Sequence, residues 1–466
     1  MTDLSCDVAI LGAGTAGLAA ERSARKAGAR TLLIDPYFAG TVCATVGCMP
    51  SKLLIAAGNA AHGVRLAPEF GVMTQPPLID GAAVMARVRA LRDDFVASTK
   101  EGFESLPEGT CVQSRARFTA PGELVLEDGR RVTARAVVLA TGSAPVVPGP
   151  FKDLGDRVLT NQTVFDLPDL PKRLAVIGAG PIGLELAQAM ARLGVEVTLF
   201  DHADRLGGLA DDAVHKALLT TLRREMVLHL GTKATPEDAG EAVRLSWEGG
   251  SAEFDRVLLA AGRPPNVRDL GLEAAGLTLN DHGVPVFDRE TLQCGEAPVF
   301  IAGDANADRP VLHEASAEGA IAGRNAVAWP AVVRSARMVP FSMIFTDPPV
   351  VQVGRAPQGE ALTGRSDYGD QGRARVEARG HGQVLLQAAA PDGRLTGAEI
   401  CAPGGEHLGH LLAWAITEGH TASDLLSRPF YHPTLEEGLR NALRDICRAT
   451  SRPLPGDQDE GAPPGG

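Results

Sequence analysis

Two cysteines lie close together near the start of the chain, in the segment that runs from Cys43 through Cys48 to Lys52. Cysteine thiolates exchange with disulfides, and a pair of cysteines can carry two electrons as a dithiol or a disulfide. The chain has seven cysteines, and the remaining ones are scattered at positions 6, 111, 294, 401 and 447. This small, odd number does not suit a disulfide scaffold, so we expect mostly buried thiols in a reducing compartment. There, a disulfide that does form has a catalytic role more often than a structural one.

The composition is that of an acidic globular protein. Its 466 residues suggest about three domains, and 44% hydrophobic and 22% charged residues are ordinary for a protein with a core. The formal net charge of −12 argues against nucleic acid or an anionic membrane surface as the main partner, because both require a basic face. The sequence has no apolar run of the roughly 18 residues that would span a bilayer, and no signal peptide pattern at its N-terminus. We therefore expect a cytoplasmic protein.

The start of the chain has the pattern of a dinucleotide-binding turn. In such a turn, two glycines let the backbone approach a pyrophosphate, a third lets helix and strand pack closely, and the helix N-terminus offers N–H groups to the phosphates. An acidic residue at the end of the second strand accepts hydrogen bonds from an adenosine ribose. These residues are Gly12, Gly14, Gly17 and Asp35, between strand patterns at 6–11 and 31–34. A single motif of this kind is equally compatible with a tight turn that binds nothing.

The same pattern recurs later in the chain at a constant distance. Positions 12 and 178, 28 and 194, and 35 and 201 are each 166 residues apart and carry the same residue types. The second set is Gly178, Gly180, Gly183 and Asp201. This agreement predicts two nucleotide sites, and two sites on one chain suggest two different dinucleotides, one tightly held and one exchanging.

Three further apolar segments end in small residues that let a ligand approach the backbone. They are 137–143, which contains Thr141 and Gly142; 257–262, which ends at Gly262; and 299–306, which contains Gly303 and Asp304. Each segment alone is also compatible with an ordinary buried parallel strand and its turn.

Together these motifs resemble those of the pyridine nucleotide–disulfide oxidoreductases, which include dihydrolipoamide dehydrogenase, glutathione reductase and mercuric reductase. The resemblance covers about residues 5–448 and is most specific at 43–52. It implies an α/β fold with two Rossmann-like dinucleotide-binding domains, for FAD and NAD(P), and a C-terminal α+β dimerisation domain. The expected boundaries are 1–149 for the FAD-binding domain, 150–274 for the NAD-binding domain, 275–338 for a return segment that completes the FAD domain, and 339–450 for the dimerisation domain. Residues 451–466, rich in Pro, Gly and Asp, are expected to be disordered.

The resemblance implies a redox-active disulfide between Cys43 and Cys48, in which the earlier cysteine exchanges with the substrate and the later one contacts the flavin. Residues five apart on a regular helix have Cα atoms about 8–9 Å apart, whereas a disulfide requires less than about 7 Å. We therefore expect a distorted backbone between them, at Gly47. The segment departs from the usual family pattern at 40–42 and at Thr45, which leaves the identity of the substrate open.

A second motif, His432 to Glu437, resembles the family's acid–base pair. The resemblance implies that the histidine serves the cysteine pair of the other subunit, in a homodimer with shared active sites, and that the glutamate orients the histidine. Glu437 also stands three residues after Thr434, which is typical of a capping box that opens a helix over 435–448. The sequence does not separate the two roles of this glutamate.

Further residues are predicted to contact the cofactors. A carboxylate at Asp201 favours NAD over NADP, because it bonds a ribose hydroxyl and repels a 2′-phosphate. By resemblance, Asp304 contacts the ribityl chain of FAD, and Lys52 and Glu185 form an ion pair beside the flavin. The alternative for these last two is an ordinary surface pair.

The leading functional hypothesis is electron transfer between a nicotinamide cofactor and a dithiol or disulfide, most like dihydrolipoamide dehydrogenase, with a small-molecule or lipoyl-domain disulfide as substrate. An NADPH-dependent reductase of glutathione or another small disulfide is the alternative, which Asp201 disfavours. The resemblance also implies that mercuric reduction is disfavoured, because the stretch after Cys447 lacks the cysteine pair with which the family delivers the metal. A non-catalytic FAD-bound redox sensor is the alternative of another class, disfavoured by His432.

Overall fold

The computed structural model describes residues 2–450, so the predicted disorder at 451–466 lies outside the described residues. The chain forms two compact units. The first contains the chain up to Pro50 together with Ala86–Val146 and Gly262–Met338, and the second contains Ser51–Met85, Val147–Ala261 and the chain from Val339 onward. Among residues 2–450, no helix combines the length and apolar character needed to cross a bilayer.

The described chain mixes strands and helices, with two long runs of strands, over 111–177 and 227–301, that no α-helix interrupts. In chain order the strands are β1 (Leu4–Leu11), β2 (Thr31–Asp35), β3 (Cys111–Gln113), β4 (Ala116–Ala120), β5 (Glu123–Leu126), β6 (Arg131–Leu139), β7 (Val158–Leu159), β8 (Arg173–Ile177), β9 (Glu196–Phe200), β10 (Val227–His229), β11 (Thr235–Ala239), β12 (Ala242–Trp247), β13 (Gly250–Phe254), β14 (Arg256–Leu259), β15 (Val299–Ile301), β16 (Phe341–Ile344), β17 (Val350–Gly354), β18 (Ala361–Asp367), β19 (Gln383–Ala389) and β20 (Arg394–Cys401).

The α-helices are α1 (Thr15–Lys26), α2 (Val42–Thr45), α3 (Cys48–Leu66), α4 (Gly81–Glu104), α5 (Pro181–Arg192), α6 (Asp212–Leu222), α7 (Leu312–Ala328), α8 (Gly372–Val376), α9 (Gly405–Thr417), α10 (Ala422–Leu426) and α11 (Leu439–Ala449). Short 3₁₀ helices lie at Ala67–Phe70, Gly149–Arg157, Val164–Asp166, Gly303–Asn306 and Glu436–Gly438.

The first unit is built on a seven-stranded sheet with the order β3-β2-β1-β6-β5-β4, in which β15 also pairs with β6. The pairs among β3, β2, β1, β6 and β15 are parallel, while β4 and β5 are antiparallel. The parallel strands are apolar runs whose side chains are buried on both faces, including Val8, Ile10, Val138 and Leu139. This burial is what covering helices on both sides of a parallel sheet require.

Helices α1 and α7 pack against each other at small residues. A Cβ at Gly319 would lie 2.1 Å from the Ala16 carbonyl oxygen, and one at Gly323 would lie 2.3 Å from that of Ala20. Ser23 Oγ also donates a hydrogen bond to the carbonyl of α7 residue Ala320, at 2.9 Å. Any larger side chain at the two glycines would push α7 away from the helix that follows the first glycine turn.

The second unit contains a five-stranded parallel sheet with the order β10-β9-β8-β14-β7 and an antiparallel three-stranded sheet, β11-β12-β13. The strand, turn, helix and strand formed by β8, α5 and β9 repeat the arrangement of β1, α1 and β2. The unit also contains an ion cluster around the buried Arg192, which contacts Glu225 at 2.8 Å and Asp347 at 3.1 Å. Arg379 contacts Asp347 at 2.7 Å.

The C-terminal part of the second unit is an antiparallel five-stranded sheet, β16-β17-β20-β19-β18, covered by α9, α10 and α11. Helix α11 approaches β18 closely, because a Cβ at Gly364 would lie 1.8 Å from the Ala442 carbonyl oxygen. The predicted fold class is confirmed: two Rossmann-like sheets precede a C-terminal α+β domain.

The helix predicted over 435–448 begins later than expected. A 3₁₀ turn at Glu436–Gly438 precedes α11, which starts at Leu439. The Thr434 hydroxyl donates back to the Tyr431 carbonyl at 2.7 Å. The hydroxyl therefore bonds to the preceding turn, whereas in a capping box it would accept from the N–H of the residue three positions later.

Candidate functional site

The first glycine turn joins β1 to α1 and has room for a ligand on one side only. A Cβ at Gly12, whose φ is +103°, would lie 2.4 Å from the Ala140 carbonyl oxygen, and one at Gly17 would lie 1.9 Å from that of Gly12. These contacts exclude any side chain. At Gly14, by contrast, no described atom lies within 4 Å of the Cβ position. Within the described residues no side chain caps α1, so its first N–H groups are available to an anion.

The second glycine turn, between β8 and α5, has nearly the same geometry. A Cβ at Gly178 would lie 2.5 Å from the Ala260 carbonyl oxygen, and one at Gly183 would lie 1.9 Å from that of Gly178. The Cβ position of Gly180 has no described atom within 4 Å, and the same is true of Gly262, which belongs to the first unit. The open side of this turn therefore has the shape that a second pyrophosphate would need.

The acidic residues at the ends of β2 and β9 are held in the same way. Asp35 Oδ2 accepts a hydrogen bond from the Ala13 N–H at 3.0 Å, and Asp201 Oδ2 accepts one from the Ala179 N–H. The duplication thus extends from the residue types to the hydrogen bonds. Each carboxylate is oriented by the glycine turn beside which a ribose would lie.

Thr141 and Gly142 follow β6 at the carboxyl edge of the first sheet. Their carbonyls accept hydrogen bonds from Asn266, at 3.0 Å from its Nδ2 and 2.8 Å from its N–H. The Thr141 hydroxyl is buried and has no hydrogen-bond partner among the described residues. A buried hydroxyl without a partner costs free energy unless a ligand satisfies it. Thr141 therefore marks a position where a polar ligand group fits.

Asp304 lies in the 3₁₀ turn after β15, beside the end of β6. Ser143 Oγ donates to Asp304 Oδ2 at 2.7 Å, and Arg263 Nη2 donates to the Ser143 carbonyl at 2.8 Å. Burial lowers the pKa of Arg263, and the nearby Asp304 carboxylate opposes that shift. Gly303 has a φ of +70°, which favours glycine, and this conformation turns the chain so that Asp304 follows the strand end.

The two cysteines of the first motif lie on separate helices, Cys43 in α2 and Cys48 at the start of α3. The break falls at Val46 and Gly47, where Val46 has a φ of −138°. A Cβ at Gly47 would lie 2.8 Å from the Val42 carbonyl oxygen. The expected distortion is therefore present. Cys43 is half-buried and Cys48 is exposed.

Lys52 and Glu185, in the second unit, form an ion pair. Lys52 Nζ lies 2.8 Å from Glu185 Oε2 and 4.1 Å from the centre of the Phe345 ring. Glu185 Oε1 accepts a hydrogen bond from the Phe345 N–H at 3.0 Å. The Glu185 side chain is 7% exposed and that of Lys52 is 34% exposed, so the carboxylate of this pair is buried and the amine is partly exposed.

His432 and Glu437 are also paired. His432 Nδ1 lies 3.1 Å from both carboxylate oxygens, and the side chains are 53% and 3% exposed. Glu437 Oε2 also accepts a hydrogen bond from the Thr434 N–H at 3.0 Å. The glutamate therefore caps the turn and contacts the histidine at the same time. A carboxylate at Nδ1 favours the tautomer whose Nε2 is free to accept a proton.

Comparison with known proteins gives the family. The profile described as "Pyridine nucleotide-disulphide oxidoreductase" matches residues 6–320, and the profile of the dimerisation domain of the same family matches residues 340–443. The chain belongs to this family of oxidoreductases. Its members are FAD-dependent enzymes that also use a pyridine nucleotide, and the second match supports assembly as a homodimer.

Relatives within the family have different substrates in their names. A mercuric reductase from Acidithiobacillus ferrooxidans is 32% identical over 95% of this chain and 82% of its own length. A dihydrolipoyl dehydrogenase from Halobacterium salinarum is 32% identical over 94% of this chain and 95% of its own. The crystal structure of LpdA from Mycobacterium tuberculosis has a TM-score of 0.81 and 25% identity, covering 95% of this chain and 99% of that one. The HOCl-induced flavoprotein disulfide reductase RclA from Escherichia coli, with a TM-score of 0.80, 21% identity, and coverage of 94% and 99%, shares the fold.

The residues of the first unit fit the FAD that the family uses. The glycine turn at Gly12, Gly14 and Gly17 leaves space where a pyrophosphate would lie. The Thr141 hydroxyl, which has no partner within residues 2–450, is available to a polar group. The carboxylate of Asp304 would accept hydrogen bonds from ribityl hydroxyls. These residues could therefore hold the cofactor.

Several residues of this region were not predicted from the sequence. Ser143 contacts Asp304, which lies 161 residues later in the chain. Arg263 contacts the carbonyl of Ser143, which lies 120 residues earlier, in the turn that carries Thr141. The signal available in the sequence was their position one or two residues after a predicted site residue. Glu318, which contacts the Gly303 turn, had no such signal.

Proposed function

We propose that this oxidoreductase transfers electrons between a dithiol and a nicotinamide through a Cys43–Cys48 disulfide, and that it acts as a dihydrolipoamide:NAD oxidoreductase. The observation that carries the proposal is the geometry of His432 and Glu437. Thiol–disulfide exchange near neutral pH requires a group that removes the thiol proton, because the thiolate is the nucleophile. A histidine whose Nδ1 contacts a buried carboxylate, and whose ring is half exposed, is suited to that task.

The proposed exchange proceeds in two displacements. A substrate thiol gives its proton to Nε2 of His432, contributed by the partner subunit, and its thiolate attacks the Cys43 sulfur, so that Cys48 leaves as a thiolate. His432 releases the first proton to solvent, and Nε2 then takes the proton of the second substrate thiol. The resulting thiolate attacks the substrate sulfur bound to Cys43, and Cys43 leaves as a thiolate. The substrate disulfide closes, and Cys43 and Cys48 are both reduced. FAD held by the residues of the first unit would supply a carrier that takes up two electrons at a time, as transfer between a dithiol and a nicotinamide requires.

The cofactor residues follow the same proposal. Residues 1–149 with 275–338 hold FAD, through the first glycine turn, Asp35, Thr141, Gly142 and Asp304. Residues 150–274 bind NAD through the second glycine turn, Asp201 and Gly262, and 339–450 form the dimer. The Lys52–Glu185 ion pair is proposed as a further cofactor-binding pair, because its carboxylate is buried and holds the Lys52 ammonium at 2.8 Å.

Two other substrate pairs are compared with dihydrolipoamide and NAD⁺ in the test. Asp201 favours NAD, but the nicotinamide specificity of the family does not decide between NAD and NADP, so NADPH with glutathione disulfide is a second candidate pair. The mercuric reductases among the relatives make Hg(II) a third.

The test is a steady-state assay of the purified holoprotein. Dihydrolipoamide with NAD⁺ is compared with NADPH and glutathione disulfide, and with NADPH and Hg(II). We expect the highest kcat/KM with dihydrolipoamide and NAD⁺, loss of this activity in Cys43→Ser, and its retention in Cys111→Ser, which removes an exposed thiol outside the motif. Turnover with glutathione disulfide or Hg(II) alone would overturn the substrate assignment, and full activity of Cys43→Ser would overturn the role of the pair.

A further inference from the structure

Helix α7 contacts both parts of the proposed flavin site. Its glycines pack on α1, the helix that follows the first glycine turn. One residue, Glu318, reaches the 3₁₀ turn Gly303–Asn306 that carries Asp304. The two motifs are about 290 residues apart in sequence, yet a single helix touches both of them.

Glu318 is a buried carboxylate with three donors around it. Its side chain is 0% exposed. Oε2 accepts hydrogen bonds from the Gly303 N–H and from Asn306 Nδ2, both at 2.7 Å, and Oε1 accepts one from Arg337 Nη2. Because every neighbour donates a hydrogen bond, the site requires a side chain whose two terminal atoms both accept, as those of a carboxylate do.

We propose that Glu318 is a positioning residue for the flavin, which fixes the Gly303–Asn306 turn so that the Asp304 carboxylate faces the cofactor. The carboxylate contacts the turn at both of its ends, and Asp304 lies between them. If the turn shifts, Asp304 shifts with it, since Gly303 precedes it directly. The free-energy cost of binding is smaller when the turn is already ordered than when it must become ordered on binding.

The neighbouring Glu314 provides a matched control. It lies one helical turn earlier on α7, its side chain is 1% exposed, and it accepts hydrogen bonds from Arg309 at 2.6 Å and from Arg337 at 2.9 Å. Among the described contacts, none joins Glu314 to the Gly303–Asn306 turn. Its replacement therefore disturbs the same arginine and the same helix without loosening the turn.

The experiment compares Glu318→Gln with Glu314→Gln. A glutamine at 318 must point its amide nitrogen either at Arg337 or at the Gly303 N–H, so two donors face each other. We expect Glu318→Gln to raise the Kd of the apoprotein for FAD about tenfold or more and to change the visible circular dichroism of the bound flavin. Glu314→Gln should change the Kd by less than about threefold and leave that spectrum unchanged, even where both variants lower Tm alike. Equal changes in Kd and an unchanged spectrum would overturn the proposal.

A second variant covers the case in which Glu318→Gln does not fold. Asn306→Ala removes one donor to Glu318 at the end of the turn, and should raise the Kd for FAD by about three- to tenfold. An unchanged Kd would overturn the proposal. The inference rests on the proposed flavin site at Asp304. If the wild-type protein binds no FAD, the proposed function fails; if it binds FAD and the variants behave alike, only the role of Glu318 fails.

Discussion

Replacement of Glu437 by glutamine isolates the electrostatic part of the proposed acid–base pair. The change keeps the size of the side chain but removes its charge. If the glutamine oxygen continues to accept from the Thr434 N–H, its amide nitrogen faces His432 Nδ1, where the native carboxylate lies at 3.1 Å. The imidazole then favours the tautomer that carries its proton on Nε2, so the fraction of molecules whose Nε2 can accept the proton of a thiol falls.

The magnitude follows from the bond that is lost. A hydrogen bond to a charged group contributes about 1.5–3 kcal/mol, and about 1.4 kcal/mol corresponds to tenfold. We therefore expect Glu437→Gln to lower kcat for dithiol oxidation about 10- to 100-fold, with little change in KM. Removal of the base itself in His432→Ala should cost more, about 10²- to 10⁴-fold.

The double variant tests whether Glu437 acts through His432. If it does, His432→Ala with Glu437→Gln should be no slower than His432→Ala alone, because the glutamate has no further role in the reaction. Asp424→Asn is the control for the structural effect, since Asp424 caps a helix in the same domain by accepting from Thr421 at 2.8 Å. It should lower Tm by a similar amount without changing kcat. Multiplicative effects of the two substitutions would refute the reasoning.

Three other outcomes are expected. Asp201→Asn should raise the ratio of kcat/KM with NADPH to kcat/KM with NADH about tenfold. Asp204→Asn, at an exposed position three residues later, should leave this ratio unchanged. A wild-type preference for NADPH would contradict the role of Asp201. Mixing inactive Cys43→Ser and His432→Ala under subunit exchange should restore activity in heterodimers, because one of their two sites is then intact; no recovery despite exchange would place the histidine outside the partner's site. Burial alone would raise the pKa of Asp347, but its two arginine neighbours hold that pKa below its ordinary value. The folded protein therefore binds fewer protons there than the unfolded chain, and this stabilisation is present above about pH 4 and lost as pH falls further. Asp347→Asn should flatten the acid limb of a Tm-against-pH curve, and an unchanged slope would contradict this.

The duplicated nucleotide motif could be predicted from the sequence because its determinants are local. Glycines that exclude a Cβ, and an acid at the next strand end, occupy fixed positions around one turn. The same 166-residue spacing relates Ala13 to Ala179 as donors to Asp35 and Asp201. The same reasoning predicted the break at Gly47, because a regular helix separates residues five apart too widely for a disulfide.

The start of α11 and the role of Glu437 could not be predicted in this way. The spacing of Thr434 and Glu437 fits a capping box, but the threonine hydroxyl donates to Tyr431 and the glutamate reaches His432. Several bonding patterns are open to such side chains, and tertiary packing selects among them. The contact of Glu318 with the Gly303 turn could not be predicted for another reason. A glutamate within a helix resembles a surface residue until the strands and the distant Arg337 bury it.

Anaerobic reduction of the holoprotein by one equivalent of dihydrolipoamide tests whether the cysteine pair lies in the path of the electrons. If Cys43 exchanges with the substrate and Cys48 contacts the flavin, the reduced protein should show a long-wavelength absorbance from a thiolate beside the flavin. This absorbance should be missing in Cys48→Ser and retained in Cys111→Ser. Bleaching of the flavin without that absorbance in the wild-type protein would contradict the proposed redox role of Cys43 and Cys48.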